Sequence, residues 1–168
     1  MRYSTLLTLA VALVGAAPFR GVRAQRPTPD TAVVHVTAGA IDSAFRDVAA
    51  APPEARDLPT GALAHYQAIV LSRRTASEAE VHERWTDVVF VKRGAAVLRT
   101  GRALFRRRAG DPGEWSGSAV ARPRDQLVGP GDVLVIPAGI AHQWRPSGPE
   151  PFSYVLVKVR PGGRAVSR

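Results

Sequence analysis

The stretch Gly131-Asp132-Val133-Leu134-Val135-Ile136-Pro137-Ala138-Gly139-Ile140-Ala141-His142 decides how this chain folds. Val133 to Ile136 is a short, β-branched apolar run of the kind that builds a strand. Pro137 ends it, because proline has no N–H to give to a ladder. The Pro-x-Gly turn then delivers a single histidine. Trp144 follows two positions later, so extended backbone puts it on the same face as His142.

A second polar cluster lies upstream in Glu80-Val81-His82-Glu83-Arg84-Trp85-Thr86-Asp87, followed by a valine-rich run and Gly94. Glu80 and His82 are two apart; on a strand they project from one face, which is how extended backbone brings two ligands to one ion. Asp87 then enters the same cavity from the next strand, with Val89 and Val91 on its side as an apolar floor. Glu83 is adjacent to His82 and faces away, as a surface charge.

Working outward, the chain gives mostly strands. His65–Ser72, Asp87–Lys92, Ala95–Thr100, Gln126–Val128, Val133–Ile136 and Phe152–Val159 are short β-type runs separated by Gly- and Pro-containing turns. Val33 to Thr37 alternates as an edge strand. Ala40 to Ala50 has helical spacing, with Ile41, Phe45 and Val48 on one stripe, and Pro52-Pro53 stops it. Many short strands and one helix read as an all-β sandwich or barrel rather than an alternating α/β protein.

Together the two polar clusters resemble the cupin superfamily. Its first motif runs G-x5-H-x-H-x3,4-E-x6-G, and Glu80-x-His82-x4-Asp87-x6-Gly94 follows it from the first ligand position onward. Its second runs G-x5-P-x-G-x2-H-x3-N, and Gly131-x5-Pro137-x-Gly139-x2-His142 matches it through the histidine. The resemblance extends by strand order over roughly Ala64 to Val159. It implies a double-stranded β-helix, or jelly-roll barrel, with one short N-terminal helix that is atypical of the family. It also implies one divalent transition metal, Fe, Mn or Zn, held by His82 and His142, by Glu80 where a histidine is usual, and by Asp87 where a glutamate is usual. Arg74 and Pro146 replace the motifs' opening Gly and closing Asn. Asp is one methylene shorter than Glu, so Asp87 either reaches the metal or bonds a ligating imidazole instead. Trp144, Val89 and Val91 are the expected pocket lining.

Composition narrows the setting. The 168 residues are 45% hydrophobic and 22% charged with no Cys, which excludes a disordered tail and a disulfide scaffold. Residues 1–24 read as a secretory signal: Arg2, the apolar run Leu6 to Ala17, and Val22-Arg23-Ala24 before a mature start at Gln25. The apolar run has 12 residues, short of the roughly 18–20 that span a bilayer, so no membrane span is expected and the location is periplasmic or secreted. Residues 25–62 then form an N-terminal arm, 63–160 the cupin domain and 161–168 a tail. The net charge of +9 is almost wholly arginine, since Lys92 and Lys158 are the only lysines. Arg106-Arg107-Arg108 flanks Gly110-Asp111-Pro112-Gly113 without a set of stacking aromatics, which reads as a solvated loop and not a nucleic-acid site.

Two functions follow from the resemblance. In one, the metal acts as Lewis acid or redox centre on a small molecule, in oxygenase, decarboxylase or isomerase chemistry, with Glu80 or Asp87 as base. In the other, the barrel binds a small ligand without turnover at a degenerate metal site. Association through the arginine-rich loop is a third, weaker reading. Pairing of edge strands into a homodimer is a further implication of the family.

Overall fold

The computed structural model describes residues 33–50, 55–60 and 65–160. Residues 1–24, expected to be a secretory signal, Pro52-Pro53 and residues 161–168 lie outside these residues. One helix, α1 (Ala38–Ala50), precedes thirteen strands: β1 (Ala55–Asp57), β2 (Tyr66–Arg73), β3 (Ala79–His82), β4 (Thr86–Arg93), β5 (Ala95–Gly101), β6 (Leu104–Phe105), β7 (Arg108–Ala109), β8 (Glu114–Gly117), β9 (Ala119–Val120), β10 (Arg124–Val128), β11 (Val133–Ile136), β12 (Ala141–Ser147) and β13 (Phe152–Val159). The fold is mostly β with one helix and resembles the double-stranded β-helix.

Two antiparallel sheets face each other, in the orders β1-β2-β13-β4-β11 and β10-β5-β12-β3-β8-β7, and β6 pairs with β9 separately. β2 to β5 alternate between them, as do β10 to β13, and β13 lies between β2 and β4 while β12 lies between β5 and β3, so each sheet interleaves segments from both ends of the domain. The sheets do not close into the expected barrel. Gly129-Pro130-Gly131 carries the chain from β10 to β11 across the gap, and a groove lined by Leu98, Gln126, Val133 and Val135 separates the two edges.

Side-chain alternation sets the core. On β4, Asp87, Val89 and Val91 are buried while Phe90 on the opposite face is exposed. Val89 and Val91 pack with Leu71, Leu98, Leu134, Trp144, Phe152, Tyr154 and Leu156 between the sheets. β2 is buried on both faces at its centre because α1 covers its outer side: Ala44 and Val48, flanked by Ile41 and Phe45, pack on Val70 and Leu58. The helical stripe expected from sequence is thus the stripe that docks. Burying each side chain of this size is worth about 1.5–3 kcal/mol.

Two expectations are corrected. Val33 to Thr37 forms no strand; Thr37 Oγ1 accepts the Ala40 N–H at 3.2 Å, and the Thr37 carbonyl accepts that of Ile41 at 3.1 Å. A threonine cap beat the alternating pattern and started the helix at Ala38. The arginine-rich segment is exposed as expected, but Arg108 belongs to β7 and is not loop. Arg107 lies 3.5 Å over the Trp115 ring and pairs with Glu83 at 3.2 Å, and Arg108 pairs with Glu78. Glu83 faces outward as expected, and it also accepts the Trp115 indole N–H at 2.7 Å.

Candidate metal centre

The second sequence motif positions the first. The turn after β11 places Gly139 at φ 80°, a left-handed value that glycine adopts without strain. Its N–H donates to the His82 carbonyl at 2.9 Å. Glu80 stands directly across the ladder from His142, and β8 brings Glu114 directly across from His82. Gly94, the closing glycine of the first motif, has φ 67°, and a Cβ there would lie 2.5 Å from the Pro151 carbonyl oxygen.

Both imidazoles have fixed tautomers. His142 Nδ1 lies 3.1 Å from the Ile140 carbonyl oxygen, which can only accept, so Nδ1 carries the proton. His82 Nδ1 donates to the Glu114 carboxylate. Each ring therefore turns its Nε2 lone pair into the space between the sheets. His82 Nε2 is 3.5 Å from Glu80 Oε2 and 3.5 Å from Asp87 Oδ2, and His142 Nε2 is 3.7 Å from the same Asp87 oxygen. Donor atoms of Glu80, His82 and His142 all lie within 4.8 Å of one another. Ligands bound at about 2.1 Å to one ion stand roughly 3.0–3.4 Å apart at tetrahedral or octahedral angles, so the residues fit a divalent transition metal. A carboxylate and a backbone carbonyl holding the non-ligating nitrogens is the usual support of such imidazoles.

Asp87 belongs to the opposite wall. Its neighbour across the ladder is Lys158, whose Nζ is 3.2 Å from Asp87 Oδ1, and both side chains are buried. Oδ1 accepts no hydrogen bond among the described residues, so the lysine contact is an ion pair without hydrogen-bond geometry. Burial works against ionisation of Glu80, but the neighbouring His82, His142 and Arg73 outweigh it and hold the carboxyl below its usual range. For His82, burial and Lys158 favour the neutral ring, yet Glu80, Asp87 and Glu114 prevail and raise its pKa. For His142 burial dominates and lowers it, against the pull of Asp87.

Below these groups is a cavity of about 160 Å³, with Ile69, Leu71, Val89, Trp144 and Leu156 on its apolar side. Trp144, Phe152 and Tyr154 form a three-ring cluster with centroids 4.9–5.4 Å apart. The Arg73 guanidinium donates to the Tyr154 hydroxyl at 3.0 Å, while burial pushes that hydroxyl's pKa up to about 12. Val91 packs in the core behind the cavity wall rather than on it. The structure thus brings Glu80, His82, His142, Asp87, Val89 and Trp144 to one space. It adds three groups that the motifs do not contain: Glu114, Lys158 and Arg73. Lys158 had a signal, since it shares inward parity with Phe152, Tyr154 and Leu156. Glu114 had none locally, because only the pairing of β8 with β3 brings it to His82.

No protein-family model and no curated protein matches the sequence. Solved structures do match the fold. A Bacillus halodurans protein aligns with a TM-score of 0.52 at 20% identity, covering 81% of this chain and 86% of that one. The hydroquinone 1,2-dioxygenase PnpCD, solved with Cd2+ and 4-hydroxybenzonitrile, aligns with a TM-score of 0.51 at 19% identity over 82% and 83%. A Klebsiella pneumoniae protein with a double-stranded β-helix domain gives 0.47 at 19% identity, over 66% and 80%. The chain shares its fold with these solved structures at low sequence identity.

Proposed function

We propose that this chain is an exported cupin-type protein that holds one divalent transition metal through His82, His142 and Glu80 and acts on a small molecule in the adjoining cavity. The observation that carries the reading is the commitment of both Nδ1 atoms to Glu114 and the Ile140 carbonyl, which turns two Nε2 lone pairs and one carboxylate toward one point. Two imidazoles and one carboxylate with open positions form the donor set of non-haem Fe(II) oxygen chemistry, which makes an oxygenase the leading reaction class. A bound metal would supply Lewis-acid or redox chemistry there.

The chain's own residues supply the rest. Glu114 keeps the His82 proton on Nδ1. Asp87 Oδ2 faces both Nε2 atoms from the opposite wall, placed to accept a proton from a molecule in the cavity. Trp144, Leu71 and Leu156 exclude water from its apolar end. At water's ~30 Å³ as an upper share for each bonded heavy atom, the cavity of about 160 Å³ takes a molecule of at least about five non-hydrogen atoms. Small phenols are the first substrates to try, given the fold shared with a hydroquinone dioxygenase. The apolar lining favours a second reading, capture of a small ligand without turnover.

The test is elemental analysis of Gln25–Arg168, exported and purified without chelator or affinity metal, beside the His82→Ala/His142→Ala variant. Near-stoichiometric metal that the folded variant loses supports the site. Oxygen uptake by the iron-loaded protein with small phenols then separates turnover from capture. A wild type that takes up none of Fe(II), Mn(II) or Zn(II) overturns the metal reading. Export is tested by intact mass, which should show removal of residues 1–24. A homodimer through the β11 edge, where Val133 and Val135 are exposed, is tested by light scattering.

A further inference from the structure

We infer that Lys158 is a positioning residue that keeps Asp87 off the metal, so that Glu80 alone supplies carboxylate oxygen and Asp87 stays beside the ion as an unligated carboxylate. This rests on the metal reading above and assigns a division of labour within it. Glu80 and His82 share β3 and stand beside His142 on β12, so the three donors come from one sheet. Asp87 and Lys158 come from the other sheet and stand directly across the β4–β13 ladder from each other. The ion pair is therefore built by register and does not depend on the chance reach of a long side chain.

Asp87 has only two side-chain torsions, so fixing one oxygen largely fixes the other. With Oδ1 held 3.2 Å from Lys158 Nζ, Oδ2 sits 3.5 and 3.7 Å from the two Nε2 atoms. Oδ2 is thus as near His82 as Glu80 Oε2 is, and what sets Asp87 apart is its place outside the Glu80, His82 and His142 donor group and its pairing with Lys158. A glutamate could keep the lysine contact and still advance by a methylene; aspartate cannot. Lysine also cancels the charge of Asp87 locally, which leaves the cation facing one net negative ligand instead of two. No group in the cavity, Lys158 included, gives Asp87 Oδ1 a hydrogen bond among the described residues, so the ammonium holds that oxygen by charge. Removing the ammonium would then leave Asp87 without its cross-strand counter-charge and free to turn toward a bound metal.

The experiment is titration of the metal-free wild type with Co(II), following visible absorption, beside Glu80→Gln, Asp87→Asn, Lys158→Met, Lys158→Arg and the double variant Asp87→Asn/Lys158→Met. Glu80→Gln should weaken Co(II) binding by at least about tenfold, while Asp87→Asn stays within about threefold of wild type. Lys158→Met should bind at least about tenfold more tightly, with a changed d–d spectrum as a second carboxylate joins. Lys158→Arg should keep the wild-type spectrum, and the double variant should return to it. A Lys158→Met protein that folds only when Co(II) is added counts as the same result, since the freed carboxylate then needs the ion. The inference is overturned if Asp87→Asn loses Co(II) as severely as Glu80→Gln. It is equally overturned if Lys158→Met is folded with unchanged affinity and spectrum, or stays unfolded with Co(II) present. Failure of the wild type to bind Co(II) would instead strike the metal reading itself.

Discussion

The two walls of the cavity use one device with opposite results. On the β3–β12 wall a carboxylate faces an imidazole directly across the ladder, Glu80 against His142; on the β4–β13 wall a carboxylate faces an ammonium, Asp87 against Lys158. An imidazole held by its far nitrogen keeps a lone pair to give away, so the first pair stays open to a third party. An ammonium has only donors and no lone pair to give, so the second pair balances its own charge and offers no ligand set. One substituent at one register position thus decides whether a cross-strand pair is a ligand set or a closed contact.

The contrast is most sharply broken by removing the ammonium. Lys158→Met leaves the Asp87 charge buried without its partner, and in metal-free protein it should lose about 3–5 kcal/mol of stability by urea denaturation. Lys158→Arg should recover most of that loss. A loss below about 1 kcal/mol would mean that water or another group already serves Asp87. On the opposite wall, Glu114→Ala removes the acceptor that orients His82 and should weaken metal binding roughly 10- to 100-fold, read by competition with a chromophoric chelator. The fold should survive, because Glu114 is only partly buried.

A gentler probe is pH in the metal-free state, where the two histidines act in opposite directions. The pKa of His82 is raised above its ordinary 6.5, so its contribution is complete below that value and fades as pH rises. That of His142 is lowered, so its contribution is complete above 6.5 and fades as pH falls. Among the histidine effects, stability should therefore peak near 6.5. Substituting Asn for His82 should flatten the alkaline decline, and for His142 the acid one, by urea midpoints across pH 5 to 8. Identical profiles would remove the asymmetry between the rings. The smallest effect tests the fold away from the cavity: Thr37→Ala should cost about 1 kcal/mol through the lost helix cap, with metal binding unchanged.

Much of this was legible in the chain. The period-two pattern of Asp87, Val89 and Val91 put the right side of β4 inward, and the Pro137–Gly139 turn announced where His142 would emerge. The helix stripe of Ile41, Phe45 and Val48 was equally plain. What the sequence hid was partnership across long separations. Nothing near Glu114 says that it will face His82, because register between β3 and β8 depends on every pair in the ladder. Lys158 was half visible: parity turned it inward, but only the β4–β13 register supplied Asp87. The two-residue strands β6, β7 and β9 escaped notice because pairings that short carry no periodicity, and the four residues of β8 carry little more. Val33 to Thr37 misled because alternation over five residues is weaker than one well-placed cap.

The hydrogen bond from the Gly139 N–H to the His82 carbonyl bears on how the molecule is made as well as on how it is held. It joins segments far apart in the chain, in a domain whose sheets interleave both ends, so the donor set cannot assemble until long loops have closed. Metal capture would then report the last steps of folding and, by adding binding energy only to the finished state, draw the chain toward it.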